Sequence, residues 1–587
     1  MRIRTRTFAR ISAGFPAIMF MTAMVHCQTS QHGFDNWVSP ASSARVPHQW
    51  FDDDSIRPGA TNFDEQANQA GATAEQSLTS LAPRTEASSS SSEEKQEPPR
   101  RIDAFWKDLP VRQTPGKTGN IGVPPSGPGY YSFRDVWSET CRDAPPPFPY
   151  PPFGLMAPSY FDVNWSFLDD PTKSWGWSDI LKRQPVGCDW LVTSGGSLWW
   201  RHMAESNARL TGVDQNYDLV RTRLYADVSY RDFARFYFEF IDAHRFGGDL
   251  PPLPIDVNRT DILNAFVDLQ FLEIDGQKWW TRLGRQELNM GSQRLVSTLD
   301  WANTRRTFQG VRLFNRSKEQ DIDLWWTQPV IVDPSSFDDV DGNQHFVGAW
   351  MTRRPDENHT IDYYYLFLKN SDPRPEFTVP VPTFNVHTFG VRNLGSHGPW
   401  HHDYEFMFQL GNRGDQDIVA GAVTAGHGYH FENTTWNPML WIYYDWASGD
   451  RDPTAGNYHT FNPLFPFGHY YNGFADIVGR QNLHDVNLHL FLYPRNWITF
   501  NTQYHFLTLA NAADALYNPA GIPVRRDLTG AAGRTVGHEL DLLWNFHVSA
   551  HTDVLVGYSR LFAGRFLRET GPGADPDLFY VQLGYRW

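Results

Sequence analysis

The sequence predicts an all-β fold: a large antiparallel transmembrane β-barrel of roughly 16–18 strands, preceded by a mostly disordered N-terminal extension. Three observations carry this. From about residue 194 onward, segments of alternating residues recur, with one face apolar or aromatic and the other carrying charges at mid-strand. Beyond the N-terminus no apolar run is long enough for a helical span, yet aromatics make up 15% of the chain, enough to furnish interface girdles. The last segment sets Phe579, Val581, Leu583, Tyr585 and Trp587 against Tyr580, Gln582, Gly584 and Arg586. A strand that closes on an aromatic looks like the terminal strand of a bacterial outer-membrane barrel.

Taken from the N-terminus, MRIRTRTFAR is basic and ISAGFPAIMFMTAMV is a short apolar stretch, so residues 1–27 read as a secretory signal. A lipoprotein reading of Cys27 is weaker, because His26 stands where Gly or Ala is wanted. Residues 28–154 carry FDDDS, TEASSSSSEEKQEPPR and APPPFPYPPFG, and are expected to be a disordered acidic, Ser- and Pro-rich extension. Residues 155–193 contain aromatics, as in YFDVNWSFLDD, without a clean period, and are expected to be a partly ordered lead-in or plug. Cys141 and Cys188, the cysteines left after signal removal, could pair in an exported chain or stay free.

The barrel is expected over 194–587. In YDLVRTRLYADVSY one face holds Val220, Thr222, Leu224, Ala226 and Val228, the other Leu219, Arg221, Arg223, Tyr225 and Asp227. DFARFYFEFID sets Phe236, Phe238 and Phe240 against Arg235, Tyr237 and Glu239; DIDLWW and YEFMFQL follow the same rule. A sandwich also alternates, but water inside and lipid outside is what places charges opposite a nearly pure apolar face. An open edge facing lipid would leave backbone groups unsatisfied, so the sheet must close. A barrel of this width holds an aqueous lumen.

Two stretches go beyond alternation: TRLGRQELNMGSQRLVSTLDWANTRRTFQGVRLF at 281–314, and WASGDRDPTAGNYHTFNPLFPFGHYYNGFADIVGRQNLHD at 446–485. Together they resemble the alginate export family of outer-membrane proteins, over roughly 194–587. The resemblance implies a monomeric barrel wide enough to pass a polymer, with an arginine-lined constriction for a uronic-acid polysaccharide. It places the chain in the bacterial outer membrane, among its lipid and lipopolysaccharide. The long N-terminal extension is not part of the family pattern.

Charge chemistry agrees with that implication. Between Trp199 and Arg316 there are fifteen arginines and one lysine. A guanidinium is permanently charged and offers a planar fork that fits carboxylates, and many weak sites in a row permit movement. Arg221, Arg223, Arg282 and Arg312 fall on inferred lumen faces; Arg285, Arg294, Arg305 and Arg306 lie at strand ends or in a connection long enough to fold inward. The same segment holds fifteen acids, so the competing expectation is a general or differently selective porin whose arginines are structural ion-pair partners.

The formal net charge of −15 disfavours nucleic acid. No nucleophile elbow, phosphate loop or dinucleotide fingerprint occurs, so no catalytic residue, cofactor or metal is expected and the chain is not read as an enzyme. His469 is read as a hydrogen-bonded loop histidine. The expected partners are an anionic polysaccharide, the barrel-assembly machinery through the C-terminal strand, and a periplasmic partner for the extension.

Overall fold

The computed structural model describes residues 122–146, 150–151, 157–170, 173–453 and 456–587. The predicted signal peptide and most of the extension lie outside the described residues.

Alternating, β-branched and aromatic segments form the strands where expected. The barrel strands are β1 (Trp190–Ser206), β2 (Gln215–Tyr230), β3 (Ala234–Gly247), β4 (Asn258–Ile274), β5 (Gln277–Gln286), β6 (Phe308–Arg316) and β7 (Gln320–Ile331). They continue with β8 (Gln344–Asp356), β9 (His359–Asn370), β10 (Phe384–His397), β11 (Trp400–Arg413), β12 (Gln416–His430) and β13 (Met439–Ala447). The last five are β14 (Leu483–Arg495), β15 (Ile498–Leu509), β16 (Thr535–His547), β17 (Thr552–Ala563) and β18 (Asp577–Arg586). Each pairs antiparallel with the next, and β18 returns to β1, with Ser197 opposite Arg586 and Ser206 opposite Asp577. The result is a closed barrel of 18 strands. Closure leaves no unpaired edge, which is the condition for strands to cross lipid. No described helix is long and apolar enough to cross a membrane.

Trp587 continues the seam by one residue. Its N–H donates to Gly196 O (3.0 Å), and Gly196 N–H donates to Trp587 O (2.9 Å).

The two faces separate cleanly. On β2, Arg221, Arg223 and Tyr225 are buried and Leu224 is exposed; on β3, Arg235, Tyr237 and Glu239 are buried while Phe236 and Phe238 are exposed. The buried set faces the lumen and the exposed set faces lipid. Short turns gather at one end of the barrel. One is Asp275–Gly276, with φ of 52° and 76°, the pair of left-handed residues a two-residue hairpin needs. The long connections gather at the other end, which by the usual orientation is extracellular.

Two features were not expected from alternation. Part of the inward face is apolar: Trp325, Phe346, Trp350 and Leu366 would be wet in an empty barrel, but Leu288, Met290, Leu295 and Val296 of the β5–β6 connection pack over them. The ordered chain also reaches back before residue 154. Residues 122–146 include a one-turn helix, Phe133–Trp137, capped by Ser132, whose Arg134 N–H donates to Val548 O in the β16–β17 turn. Composition suggested no core there. The contacts with the barrel among the described residues are few: Phe133 against Trp497 and the Val123 carbonyl accepting from Asn437 (2.7 Å), while Arg142 lies over Trp175 of the lead-in. Cys141 and Cys188 are both exposed and free.

Candidate functional site: an arginine wall and a two-loop constriction

Strands β2 to β7 build the wall. Register sets Asp268 opposite Arg282 and Arg282 opposite Arg312, two like charges side by side. Each has an acid within reach, though Asp323 is shared with Arg316 (2.6 Å) and Asp268 with Arg235 (3.8 Å). Arg282 makes a bidentate pair with Asp268 (2.7 and 2.9 Å), and Arg312 Nε donates to Asp323 (2.8 Å). The row therefore reads acid, base, base, acid. Next to it, Arg223 Nε donates to Glu239 (2.7 Å) and Arg221 Nη2 to Asp300 (3.0 Å). Aromatic faces back the guanidiniums: Phe266 lies 3.7 Å from Arg282, and Trp199 lies 4.6 Å from Arg221.

The constriction comes from the two long connections flagged in the sequence, residues 287–307 and 448–482. They zip together inside the barrel. Val296 bridges Phe465 in parallel; Ser297 N–H donates to Phe465 O (3.0 Å), Phe465 N–H to Leu295 O (2.9 Å), and Phe467 N–H to Gln293 O (2.9 Å). Arg294 then crosses to the far wall, where it holds Glu405 and Asp403 on β11 (both 3.1 Å). Arg305 is buried between Glu287 and Asp300. Arg285 reaches Asp261 (3.3 Å) and two main-chain carbonyls. Arg306 donates to Ser297 Oγ (3.3 Å) and Pro466 O (3.2 Å), with no carboxylate at ion-pair distance among the described residues.

So all eight arginines singled out from the sequence are gathered on this wall and its inward loops, and Arg306 alone among them has no acid partner. Sequence reasoning missed Arg201. It donates to Gln582 Oε1 (2.9 and 2.7 Å) and to Trp301 O (2.9 Å), again without a carboxylate. The signal was its place between Trp199 and Met203 on one face of β1, but its partner lies across the barrel seam. Arg201 opens a four-layer stack: its guanidinium lies 3.7 Å from the Trp301 ring, Trp301 lies 3.7 Å from His469, and His469 lies 5.0 Å from Phe474. His469 Nδ1 meets Asp476 at 3.0 Å, so it is a hydrogen-bonded loop histidine. Gly473, at φ +99°, lets the loop run against Glu539, where a Cβ would meet that carboxylate at 2.3 Å.

A third element enters from the short-turn end. Residues 157–163 lie along the arginine wall, and Lys182 and Arg183 fasten the chain that follows. Lys182 Nζ donates to Ser194 O (2.6 Å) and Tyr225 OH (2.9 Å), and Arg183 N–H donates to Thr193 Oγ1 (3.0 Å). Burial pushes the Lys182 amine down to about 7, partly opposed by Asp179. Undocked, the same amine titrates at the ordinary lysine value. From about pH 10 down to about 7 the undocked segment therefore holds a proton that the docked one lacks, so docking weakens as pH falls and levels off below about 7. Lys182→Met is expected to remove that slope. Limited proteolysis of residues 157–183, normalised to an unstructured substrate at each pH, reads it; a slope that survives in Lys182→Met belongs to another group.

A closed antiparallel barrel with an apolar outer face and a lumen narrowed by inward loops is the architecture of a bacterial outer-membrane channel. The chain belongs to the alginate export family, whose model, described as "Alginate export", matches residues 191–581. No curated protein sequence matches the chain. Similar solved structures include Acinetobacter baumannii OccAB4, at 9% identity and a TM-score of 0.46, covering 67% of this chain and 98% of that one. Pseudomonas aeruginosa OccD3 (OpdP) has 9% identity and a TM-score of 0.45, covering 67% and 91%. The outer membrane protein OprD from Pseudomonas aeruginosa has 10% identity and a TM-score of 0.43, covering 67% and 94%.

Proposed function

We propose that the channel passes an anionic, uronic-acid-type polysaccharide along the arginine wall and through the two-loop constriction. The carrying observation is a pair of cations without acids, Arg201 and Arg306, both bonded to the constriction loops. Each is a guanidinium at the narrowing with no carboxylate at ion-pair distance among the described residues. Arg221 Nε, Arg294 Nε and Arg305 Nη2 are buried donors with no acceptor among the described residues. A polyuronate offers one carboxylate per sugar and an apolar ring face. Guanidiniums backed by aromatic rings offer the complement to both.

A second reading has its own observation. Seven of the eight arginines named from the sequence already engage a carboxylate. On that reading the wall is stiffened by ion pairs and the channel is a general or differently selective porin. Single-channel recording of the refolded protein under a salt gradient separates the two. Anion preference with block by oligouronates is the expected result; conductance with neither supports the porin. The protein is taken as a monomer. The C-terminal strand is the segment offered to barrel-assembly machinery, and the extension preceding the described residues is the part offered to a periplasmic partner.

A further inference from the structure

We propose that residues 157–165 are a displaceable plug, an intramolecular occupant of the arginine wall that leaves when an acidic polymer competes for the same groups. The competing-ligand half of this rests on the polyuronate reading above; the plug itself does not.

The segment, APSYFDVNW, is bracketed at both levels of the lumen. Ala157 N–H donates to Asp300 Oδ2 (3.3 Å), on the inward loop that also holds Arg221 and Arg305. Downstream, the Lys182 and Arg183 bonds tie it to the start of β1. Between these points it meets the wall with side chains. Tyr160 stacks on Tyr225 at 4.6 Å and 20° and lies under Arg223 (4.5 Å). Phe161, 0% exposed, makes edge contacts with Tyr237 and Phe266 (5.3 and 5.1 Å) and lies under Arg282 (4.5 Å). Its carbonyl accepts from Arg235 Nη2 (2.8 Å). Asp162 adds its negative charge to the field at Arg235 and Arg316.

Two successive residues thus present two six-membered rings and a carbonyl to aromatic rings and guanidiniums, with the Asp162 carboxylate next in the chain. A uronate residue presents a ring and a carboxylate to the same surface. The likeness is chemical: the segment lays rings against Arg223 and Arg282 and a carbonyl oxygen on Arg235, and a uronate would bring a ring and a carboxylate to the same three groups while keeping Tyr225, Tyr237 and Phe266 out of water. Attachment is also light. Tyr160–Asp162 is a single 3₁₀ turn, Asn164 is exposed, and ring contacts outnumber main-chain bonds. Such a segment opens locally at low cost compared with the strands behind it.

The test uses the full chain, in the wild type, in Phe161→Ala and in Ser159→Cys. Heat-modifiable migration on gels confirms that each variant holds a folded barrel. The wild type is expected to dwell mostly in a low-conductance state, and Phe161→Ala to raise mean conductance several-fold. In Ser159→Cys the new thiol starts buried, since Ser159 is 1% exposed. Its maleimide labelling, mapped by peptide mass so that Cys141 and Cys188 are told apart, should accelerate when oligouronates are added. Phe161→Ala with raised conductance but no anion preference or oligouronate block keeps the plug and removes the polyuronate. An anion-selective, oligouronate-blocked current that Phe161→Ala leaves unchanged overturns the plug and keeps the polymer. A labelling rate at position 159 that oligouronates do not alter, although they block the current, also overturns it.

Discussion

Arg294→Met is expected to lower the unfolding free energy by about 3 kcal/mol and to raise conductance, because one side chain ties the β5–β6 loop to the opposite wall. Removing one partner of a buried ion pair typically costs about 3–5 kcal/mol, since the acid left behind stays desolvated. The lower end applies here. Asp403 keeps Arg392 (2.7 Å), and Glu405 keeps Tyr364 OH (2.9 Å) and Ser292 Oγ (3.1 Å). The functional effect is larger than the energetic one suggests. Arg294 also stacks on Tyr471 (4.5 Å), whose hydroxyl donates to Ser292 O (2.5 Å), so both inward loops lose a common fastening. Adding Glu405→Gln should recover part of the stability and none of the conductance change. Chemical denaturation and bilayer recording read the two effects separately. Wild-type conductance in Arg294→Met, with the stability loss present, would show that the loop bonds to Phe465 and Phe467 hold the constriction without it.

What could be seen in the sequence was whatever a period of two encodes. Val220 against Arg221 and Phe238 against Glu239 place each side chain on a face, because a strand has only two faces and lipid tolerates only one kind of residue. Closure followed from the same premise, and Trp587 paired across the seam with Gly196 is its last consequence. The site was legible in part. Arg221, Arg223, Arg282 and Arg312 are strand residues, so alternation located them. Arg294, Arg305 and Arg306 were found as a dense run in an irregular loop, but not their partners. Asp403 lies 109 residues beyond Arg294, and no local pattern links them. Arg201 and Trp301 meet His469 and Phe474 by the same kind of long-range closure. The apolar inward patch of Trp325, Phe346 and Trp350 was illegible for a different reason. Alternation reports which face a residue is on, and not what else has folded into the space that face encloses.

Glu239→Gln together with Asp268→Asn should shift the channel towards anions, and Arg223→Gln together with Arg282→Gln should shift it as far towards cations. Glu239 and Asp268 each neutralise one of these arginines, at 2.7 Å, so the wall between them carries no net charge as it stands. Taking away either member leaves one uncompensated unit. A unit charge about 5–6 Å from an ion in water contributes roughly 0.5–1 kcal/mol, a factor of about 2–5 in that ion's occupancy, with opposite sign for its counterion. Two such charges should move the anion-to-cation ratio by about an order of magnitude or more at low salt. The effect should fade as the Debye length shrinks to about 3 Å near 1 M. The amide at position 239 keeps the volume of Glu239 but only one acceptor oxygen, so either Arg223 or the Tyr237 hydroxyl and Asn264 amide lose theirs. Phe161→Ala supplies the background in which the wall is uncovered, and reversal potentials in a salt gradient are the readout. Equal and opposite shifts would mean that ions pass within reach of these four side chains, which is the condition for the arginines to act on a polymer. If neither pair moves the reversal potential, Arg223 and Arg282 serve Glu239 and Asp268 as struts, and selectivity has to come from Arg201 and Arg306 at the constriction.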